Sequence, residues 1–494
     1  MQRKLDFQSA ALGAILLVLI ASARIVSTYS VFNHIIDEPD HLAAGMEWLS
    51  TGKYLYEDQH PPFARVMGAL GPYLAGERFR PGPEAHHEGY RILGRDAHYD
   101  RILALGRAGI LPFFWIASGV VFIWGLRTAG PASALAATLL FTTLPPVLGH
   151  SGLITTDMAA AAWIGAAALA SLYWAERPDR QRTIVFGVAI GLACLSKLSA
   201  LLFLPAALIA IHRTALWRNR RSLAVACAIA FLTIWVGYRF SFARVEYLHL
   251  RLPAPRFFTG IATVWGHNAA GHLSYLLGRT SSTGFWYYYP VVLAIKTPLA
   301  FLLLAVAGLR RFTPSVAFCA AILLCALASH INIGVRHILP IYLGLAVVGG
   351  QVAAHMLQRR ATCWILAGLL LWQVASGVFQ HPDYLAYTNE IAGRHPENFL
   401  ADSDLDWGQD MKRLGARLQR AGAVEVSFSP FNKTYPVLAG DPFPRLLPTD
   451  PEHPAAGWNA VSITAWKVFG RPGWVDRVPP GERVGRSILL WYFP

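Results

Sequence analysis

Charged residues are scarce in this chain. Asp, Glu, Lys and Arg make up only 15% of its 494 residues, whereas a soluble protein usually carries about 25%. Hydrophobic residues make up 54%, and the mean hydropathy is +0.38. These values exclude a water-soluble globular enzyme, and they also exclude a disordered chain.

Acidic residues are rarest where the chain is most hydrophobic. Of the 29 acidic residues, residues 32–102 hold 11 and residues 380–494 hold 13. The remainder holds only 5 acids beside 24 of the 43 basic residues. The hydrophobic part therefore carries a charge of +19, more than the net +14 of the whole chain. This distribution argues against nucleic acid as a partner and favours a membrane protein whose basic loops set its orientation.

Several functional motifs are also missing. The sequence has no Walker loop, no G-x-S-x-G and no H-E-x-x-H. The lack of the nucleotide-binding Walker loop argues against an ATP-driven pump. It has no tandem repeat. The cysteines all lie in apolar runs, so no disulfide framework is predicted. They are Cys194, Cys227, Cys319, Cys325 and Cys363.

Apolar runs of about 20 residues are typical of membrane-spanning helices. They lie at 9–31, 103–126, 131–150, 157–175, 222–240, 286–309, 313–330, 337–356 and 361–379. A further run, 183–212, is flanked by basic clusters and has Lys197 in its middle. Because basic clusters favour the cytoplasm, this run should cross twice, as a hairpin. We expect eleven spans in the inner (plasma) membrane, with the amino terminus inside and the carboxyl terminus outside.

This topology places both polar regions on the external, periplasmic side. The loop 32–102 contains amphipathic stretches at about 39–51 and 62–76, which we expect to lie along the membrane interface. The tail alternates short strand and helix patterns. The strands are predicted at Val424–Ser429, Ala460–Ala465 and Ser487–Phe493, and the helix at Gln409–Ala421. We predict an all-α polytopic membrane domain, residues 1–379, and a small external α/β domain, residues 380–494.

Three acids at the outer membrane boundary are candidates for chemistry. Asp37 and Glu38 directly follow the first span, where carboxylates are costly unless hydrated or used. They suit a catalytic base with an acceptor-binding neighbour, or a solvated charge at a helix start. Asp157 is the only acid within the apolar runs predicted as spans. Its alternatives are a functional carboxylate and a helix N-cap.

Cations at the same predicted depth are candidates for holding an anionic phosphate. Snorkelling to lipid headgroups is the alternative for each of them. The candidates are Arg65, Lys197, Lys296, Arg336 and His337.

The acidic run in the tail resembles a calcium loop only in part. Gly408 comes one position late, and Arg413 stands where the loop needs an acid. Capping of the following helix is the favoured interpretation. A divalent metal held by Asp402, Asp404 and Asp406 is the weaker alternative, and no cofactor is required.

Five motifs in order resemble a known class of enzyme. They are DEPDHLAAGMEWLSTGKYLYEDQHPPFARVMGAL, GLITTDMAAAAW, LSKLSALLFLP, WYYYPVVLAIKTPLAFLLL and NIGVRHILPIYLGL. The sequence resembles the polyprenyl-phosphate-dependent glycosyltransferases of the GT-C class, which include the protein O-mannosyltransferases and the lipid A aminoarabinose transferases of the family 39 type. The resemblance covers nearly the whole chain. In the tail, HPDYLAYTNEIAG and DSDLDWGQDMKRL resemble a bacterial subgroup.

The resemblance implies a GT-C fold and transfer of a sugar, with inversion, from a polyprenyl-phosphate donor. The acceptor is a glycan, a lipid or a protein. By position, Asp37 matches the catalytic acid, Glu38 its neighbour linked to acceptor positioning, and Asp157 the acid of the second external loop. Lys197 matches a lysine near the lipid phosphate, and Arg65 stands near another such lysine.

The resulting hypothesis assigns Asp37 as the base. Lys197, Arg65 and Arg336 would hold phosphate, and Asp157 would orient groups or bind the sugar. A lipid or glycan transporter or flippase is one rival, and it should show internal repeats or helices broken near mid-membrane. A non-catalytic assembly protein is the other, and it would not need Asp37 and Asp157 beside cations.

Overall fold

Helices make up most of the structure. The computed structural model describes residues 5–82, 84–94, 96–431, 443–479 and 481–494. The helices before the tail are α1 Phe7–Val26, α2 Glu38–Thr51, α3 Pro62–Leu74, α4 Ala85–Leu93, α5 Asp96–Ala108, α6 Leu111–Thr142, α7 Pro145–Ser151, α8 Asp157–Glu176, α9 Arg180–Ser196, α10 Ala200–Arg218, α11 Arg220–Gly237, α12 Pro255–Ala270, α13 Tyr288–Lys296, α14 Leu299–Gly308, α15 Pro314–Leu327, α16 Ile341–Met356 and α17 Arg360–Phe379. Two hairpins interrupt them, β1 Phe242–Val245 with β2 Leu250–Pro253, and β3 Ser274–Leu276 with β4 Arg279–Ser281.

Six helical segments in the described part of the chain are long and apolar enough to cross a membrane. They are Phe7–Val26, His98–Thr142, Asp157–Glu176, Ala200–Arg218, Arg220–Gly237 and Arg360–Phe379. Helices α14, α15 and α16 are shorter and also apolar. The predicted class of a mostly helical, multi-pass membrane protein is therefore confirmed.

Two breaks in the helices follow from local sequence. Within α6 the backbone leaves the helical conformation at Ala129 and Gly130, and Gly130 adopts a φ of +78° that favours glycine. Pro131 is the first residue of the second half of α6, and proline is favoured in the first turn of a helix. The break predicted around Lys197 is present, because α9 ends at Ser196 and Lys197 is extended, with φ −160° and ψ 138°.

The first polar loop folds into four helices, α2 to α5. The two predicted amphipathic stretches correspond to α2 and α3. These two helices approach closely at Gly45, where a Cβ would lie 2.1 Å from the carbonyl oxygen of Arg65. Any larger residue at position 45 would push α3 away and displace the Arg65 side chain with it.

The tail contains a five-stranded mixed sheet with two helices, α18 Met411–Arg420 and α19 Ile463–Lys467. Its strands, in chain order, are β5 Glu425–Ser429, β6 Arg445–Leu447, β7 Gly457–Ser462, β8 Glu482–Val484 and β9 Ile488–Phe493. The spatial order is β6-β5-β7-β9-β8. Strand β5 is parallel to β6 and β7, while β9 is antiparallel to β7 and β8.

One predicted strand of the tail ends early. The pattern predicts a strand over Ala460–Ala465, but β7 ends at Ser462 and α19 begins at Ile463. The Ser462 hydroxyl accepts a hydrogen bond from the Ala465 amide at 3.2 Å, so Ser462 caps a short helix. A local side-chain cap therefore overrides the strand pattern at this position.

The tail and the first polar loop share a hydrophobic core. Leu42 of α2 and Ile92 of α4 belong to one buried cluster with Leu414 of α18, Val426 of β5 and Leu490 of β9. The composition of the chain changes near residue 380, yet the packing joins both polar regions. Their shared core positions the tail beside the residues that directly follow the first span.

Candidate active site

Asp37 and Arg336 form an ion pair that remains partly open. Asp37 stands at the N-cap position of α2, but its side chain makes no capping hydrogen bond. Its carboxylate instead accepts a hydrogen bond from Arg336 Nη1 at 3.1 Å, and 30% of the Asp37 side chain is exposed. Burial raises the pKa of Asp37, and the charge of Arg336 opposes that rise. Arg336 lies on a short 3₁₀ turn, Val335–Ile338, just before α16.

Asp157 and Lys197 form a second ion pair, which is more deeply buried. Asp157 starts α8, and Lys197 sits in the break between α9 and α10. The Lys197 ammonium donates to Asp157 Oδ1 at 2.5 Å. The charge of Arg336 acts on both Asp37 and Asp157, so the two pairs belong to one electrostatic cluster.

Trp407 supplies a platform for Arg336. The guanidinium carbon lies 4.1 Å from the centre of the buried Trp407 ring, a cation–π contact. Arg336 Nε also donates to the carbonyl oxygen of Ile333 at 3.0 Å. These contacts fix the guanidinium plane beside Asp37. Sequence reasoning missed this role of Trp407, because the tail motif that contains it has no spacing relation to Arg336.

The tail is fastened to the segment that precedes Arg336. Ser403 Oγ donates to the carbonyl oxygen of Ile333 at 2.8 Å, and the Val335 amide donates to Asp404 Oδ1 at 3.0 Å. Gly334 lies between these contacts with a φ of +85°, and a Cβ there would lie 2.9 Å from Asp404 Oδ1. The close approach requires glycine at this position.

This fastening brings a further carboxyl group to the site. Asp402 has a φ of +50°, an uncommon value for a residue other than glycine. The pKa of Asp402 is raised to about 7, mainly by burial; the charge of Asp37 adds to this rise and the charge of Arg336 opposes it. The sequence indicated Asp402 only as a weak metal ligand, whereas the structure places it in the field of Arg336 and Asp37.

Two histidines, the buried His41 and the partly buried His60, line the cluster without adding charge. The rings of His41 and His60 meet edge to face, with centres 5.2 Å apart. Burial and the charge of Lys197 lower the pKa of His60 to about 3. Burial likewise holds the pKa of His41 well below its usual value. Both imidazoles are therefore neutral at physiological pH.

Glu38 lies in a closed environment, unlike its neighbour. It is fully buried, and Arg107 binds it with two hydrogen bonds of 2.9 and 2.8 Å. The amides of Ile35 and Ile154 donate to the same carboxylate at 2.8 and 2.9 Å. Glu38 thus ties the segment before α2 to α5 and to the α7–α8 connection. Arg107 was not among the predicted site residues.

Arg65 and Lys296 are engaged by the protein itself. Arg65 is buried, forms an ion pair with Glu57 and donates to the Tyr54 hydroxyl at 2.9 Å. Lys296 is buried and donates to the carbonyl oxygen of Leu385 at 2.7 Å and to that of Asp404. The structure therefore places Lys296 as an anchor for the tail.

His337 belongs to the central cluster. Its ring stacks on Tyr289, with centres 5.4 Å apart, and meets the Phe203 edge at the same distance. The charges of Lys197, Asp157 and Arg336 all act on it. Of the predicted site residues, the structure thus brings together Asp37, Asp157, Lys197, Arg336 and His337.

The three tail aspartates do not converge as metal ligands. Asp406 Oδ2 accepts hydrogen bonds from Ser462 Oγ and from the Thr464 amide, at 2.5 and 2.8 Å. Asp404 binds the Val335 amide, as described above. Within the described part of the chain, no group of three His, Cys, Asp or Glu residues is arranged to hold a metal ion.

Comparisons with known proteins identify the fold. No family model matches the chain, and no curated protein matches it. The crystal structure of ArnT from Cupriavidus metallidurans bound to undecaprenyl phosphate is 14% identical, covers 96% of this chain and 97% of that one, and superposes with a TM-score of 0.54. This chain has the fold of ArnT.

Two further structures are similar. The apo form of ArnT is 15% identical, with 98% of each chain covered and a TM-score of 0.53. The apo oligosaccharyltransferase of Archaeoglobus fulgidus is 13% identical and superposes with a TM-score of 0.47. The alignment covers 88% of this chain and 61% of the oligosaccharyltransferase chain. The fold that the sequence resemblance implied is therefore confirmed by the two ArnT structures.

Proposed function

We propose that this chain is an integral membrane glycosyltransferase. It moves a sugar from a polyprenyl-phosphate donor to an acceptor on the external face, with inversion at the sugar carbon. The observation that carries the proposal is the partly exposed carboxylate of Asp37 beside Arg336, next to the Lys197–Asp157 pair. The ArnT structure with undecaprenyl phosphate supports a lipid-phosphate donor for the shared fold.

The topology in this proposal has eleven spans. The six long apolar helices and the shorter ones follow the predicted runs, and α9 with α10 forms the hairpin. With the amino terminus in the cytoplasm, Asp37, Lys197 and Arg336 all lie at outer helix ends. The site then faces the periplasm or the exterior of the cell, and the tail covers it from that side.

Asp37 is the base in this mechanism. An acceptor hydroxyl or amine attacks the sugar carbon that bears the phosphate, and its proton passes to the Asp37 carboxylate. The carbon–oxygen bond to phosphate breaks, and polyprenyl phosphate departs with that electron pair. The raised pKa of Asp37 makes its carboxylate a stronger base than an aspartate in water.

Arg336 and Lys197 hold the departing phosphate. Both carry fixed positive charge beside the base, which stabilises the charge that develops on the leaving group. Each is paired with an aspartate, and this pairing holds each cation in a fixed position for the donor. Asp157 orients Lys197 or binds the sugar, and His337 borders the donor.

Glu38 and Arg65 take no direct part in the reaction. Glu38 uses both carboxylate oxygens to fix the chain on either side of Asp37, so we assign it as a positioning residue. Arg65 is neutralised by Glu57 and supports His41 through a hydrogen bond of 2.9 Å. Lys296 holds the tail against the membrane helices.

A direct assay tests this proposal against its rivals. Purified protein in detergent is incubated with a panel of polyprenyl-phosphate sugars and with candidate acceptors, and the release of sugar-free polyprenyl phosphate is measured. We expect one donor to lose its sugar. Binding of the lipids without release of any sugar would favour a transporter, and the absence of binding would favour an assembly protein.

A further inference from the structure

Three buried polar atoms in the segment from α7 to the start of α8, next to the site, have no hydrogen-bond partner among the described residues. They are Nδ1 of His150, Oγ1 of Thr155 and Oδ2 of Asp157. The three side chains are at most 2% exposed. Leaving one buried polar atom unpaired costs about 1–3 kcal/mol, and native proteins pair the great majority of such atoms. Three of them in one short segment point to a bound group.

The three residues belong to one place in the fold. They lie at the end of α7, in the α7–α8 connection and at the start of α8. His150 interacts electrostatically with Asp157, Arg336 and Lys197. Its ring also contacts the edge of Trp407, with centres 6.2 Å apart, and Trp407 carries Arg336. The segment therefore borders both ion pairs.

The chemistry of the three atoms selects the class of ligand. A carboxylate oxygen needs a hydrogen-bond donor, while a threonine hydroxyl and a neutral imidazole can each donate or accept. An ionised phosphate offers acceptor oxygens, and the Asp157 charge repels it. Hydroxyl or amino groups on a sugar ring offer donors and acceptors together. The set is matched to a polyhydroxylated ring and poorly matched to phosphate.

We propose that His150, Thr155 and the second oxygen of Asp157 form the subsite for the donor's sugar. This inference rests on the proposed function, since it assumes a lipid-phosphate sugar as donor. The phosphate lies towards Lys197 and Arg336, and the sugar lies along the α7–α8 connection. Asp157 then serves both groups, because its Oδ1 pairs with Lys197 and its Oδ2 faces the sugar.

Binding of two lipids that differ only in the sugar tests this subsite. The probes are undecaprenyl phosphate and the undecaprenyl-phosphate sugar that the wild type binds most tightly. Thr155→Val removes the hydroxyl and keeps the shape, and His150→Phe keeps an aromatic ring against Trp407. Each variant should weaken binding of the sugar-bearing lipid about fivefold, the effect of one lost hydrogen bond. Binding of undecaprenyl phosphate should stay unchanged.

The control is Ser133→Ala. Ser133 is also a buried hydroxyl with no partner among the described residues, but it lies in the second half of α6. This variant should bind both lipids as the wild type does. A thermal unfolding transition for each variant shows whether it is folded, and His150→Gln replaces His150→Phe if the latter is not.

Each other outcome is decisive. Equal weakening for both lipids would overturn the sugar subsite, because the residues would then serve the phosphate or the fold. Unchanged binding of both lipids would also overturn it, as would a wild type that binds the sugar-bearing lipid no more tightly than undecaprenyl phosphate. A wild type that binds neither lipid would contradict the proposed function itself.

Discussion

Asp37 and Glu38 are adjacent in the chain and lie in opposite environments. Glu38 is sealed in the protein, with Arg107 and two backbone amides filling its four hydrogen bonds. Asp37 makes one hydrogen bond of 3.1 Å to Arg336 and keeps 30% of its side chain exposed. Both are carboxylate–arginine pairs, but of these two only the Asp37 pair is partly exposed.

This difference in environment predicts different roles for two otherwise similar ion pairs. A buried charge with every hydrogen bond satisfied resists change, because removing either partner leaves the other uncompensated. A partly open charge with a raised pKa retains capacity to bind a proton. We therefore expect substitutions at the Asp37 pair to affect transfer and substitutions at the Glu38 pair to affect stability.

The largest effect is expected for Asp37→Asn. The amide still accepts a hydrogen bond from Arg336 but cannot take a proton from the acceptor, so the transfer rate should fall about 10³-fold. The initial rate of sugar release from the preferred donor measures this. Asp450→Asn, at an exposed tail acid, is the control and should leave the rate unchanged. A folded D37N protein with the wild-type rate would contradict the base assignment.

Glu38→Gln should act mainly on the fold. Loss of the buried negative charge leaves Arg107 unpaired, and breaking a buried pair in this way costs about 3–5 kcal/mol. The unfolding transition in detergent should move to a markedly lower temperature. Glu84→Gln replaces an exposed acid of the same loop and serves as the control. An unchanged transition in E38Q with a large loss of transfer would assign Glu38 to the reaction.

Substitution of Arg336 should reduce kcat/KM more than substitution of Trp407, the residue on whose ring the Arg336 guanidinium packs. Arg336→Lys keeps a charge but loses the planar contact with Trp407 and the fixed geometry beside Asp37, so kcat/KM should fall about 100-fold. Trp407→Leu should cost only about fivefold, the value of a single cation–π contact. Steady-state kinetics with the preferred donor measure both. A larger loss for Trp407→Leu than for Arg336→Lys would contradict this order.

The smallest effect concerns Asp402 and pH. The pKa of Asp402 is about 7 in the folded protein, against 3.8 for an aspartate in the unfolded chain. The folded protein thus holds this proton more tightly, and the contribution to stability is lost as the pH rises from about 4 to about 7. Asp402→Asn should flatten that dependence and raise the Tm at pH 8 by about 2 °C. Equal Tm-against-pH curves for variant and wild type would contradict this expectation.

Much of the membrane part could be predicted from the sequence, because its signals are local. Apolar runs of sufficient length predict helices, and the break at Lys197 follows from a charged residue within such a run. Scarcity of acids singled out Asp37 and Asp157 before any contact was known. The tail strands β5 and β9 also agree with their patterns, while the end of β7 depends on the Ser462 cap.

The sequence could not show which charged side chains are bound by backbone groups of the protein and which by another charged side chain. Lys296 and Lys197 both lie at predicted outer helix ends, yet tail carbonyls bind Lys296, whereas Asp157 binds Lys197. The pairing of Glu38 with Arg107 spans 69 residues, and that of Asp37 with Arg336 spans 299. Partners so far apart leave no periodic signal, because only folding brings them into contact.

Composition and local pattern alone thus determined that this is a mostly helical, multi-pass membrane protein with few acids in its apolar part. Hydrophobic burial and charge placement act on every segment separately, so they can be read segment by segment. Tertiary structure decided the rest: that Glu38 is closed, that Asp37 is open, and that the tail brings Trp407 and Asp402 to Arg336. These outcomes depend on hydrogen bonds and packing between distant segments.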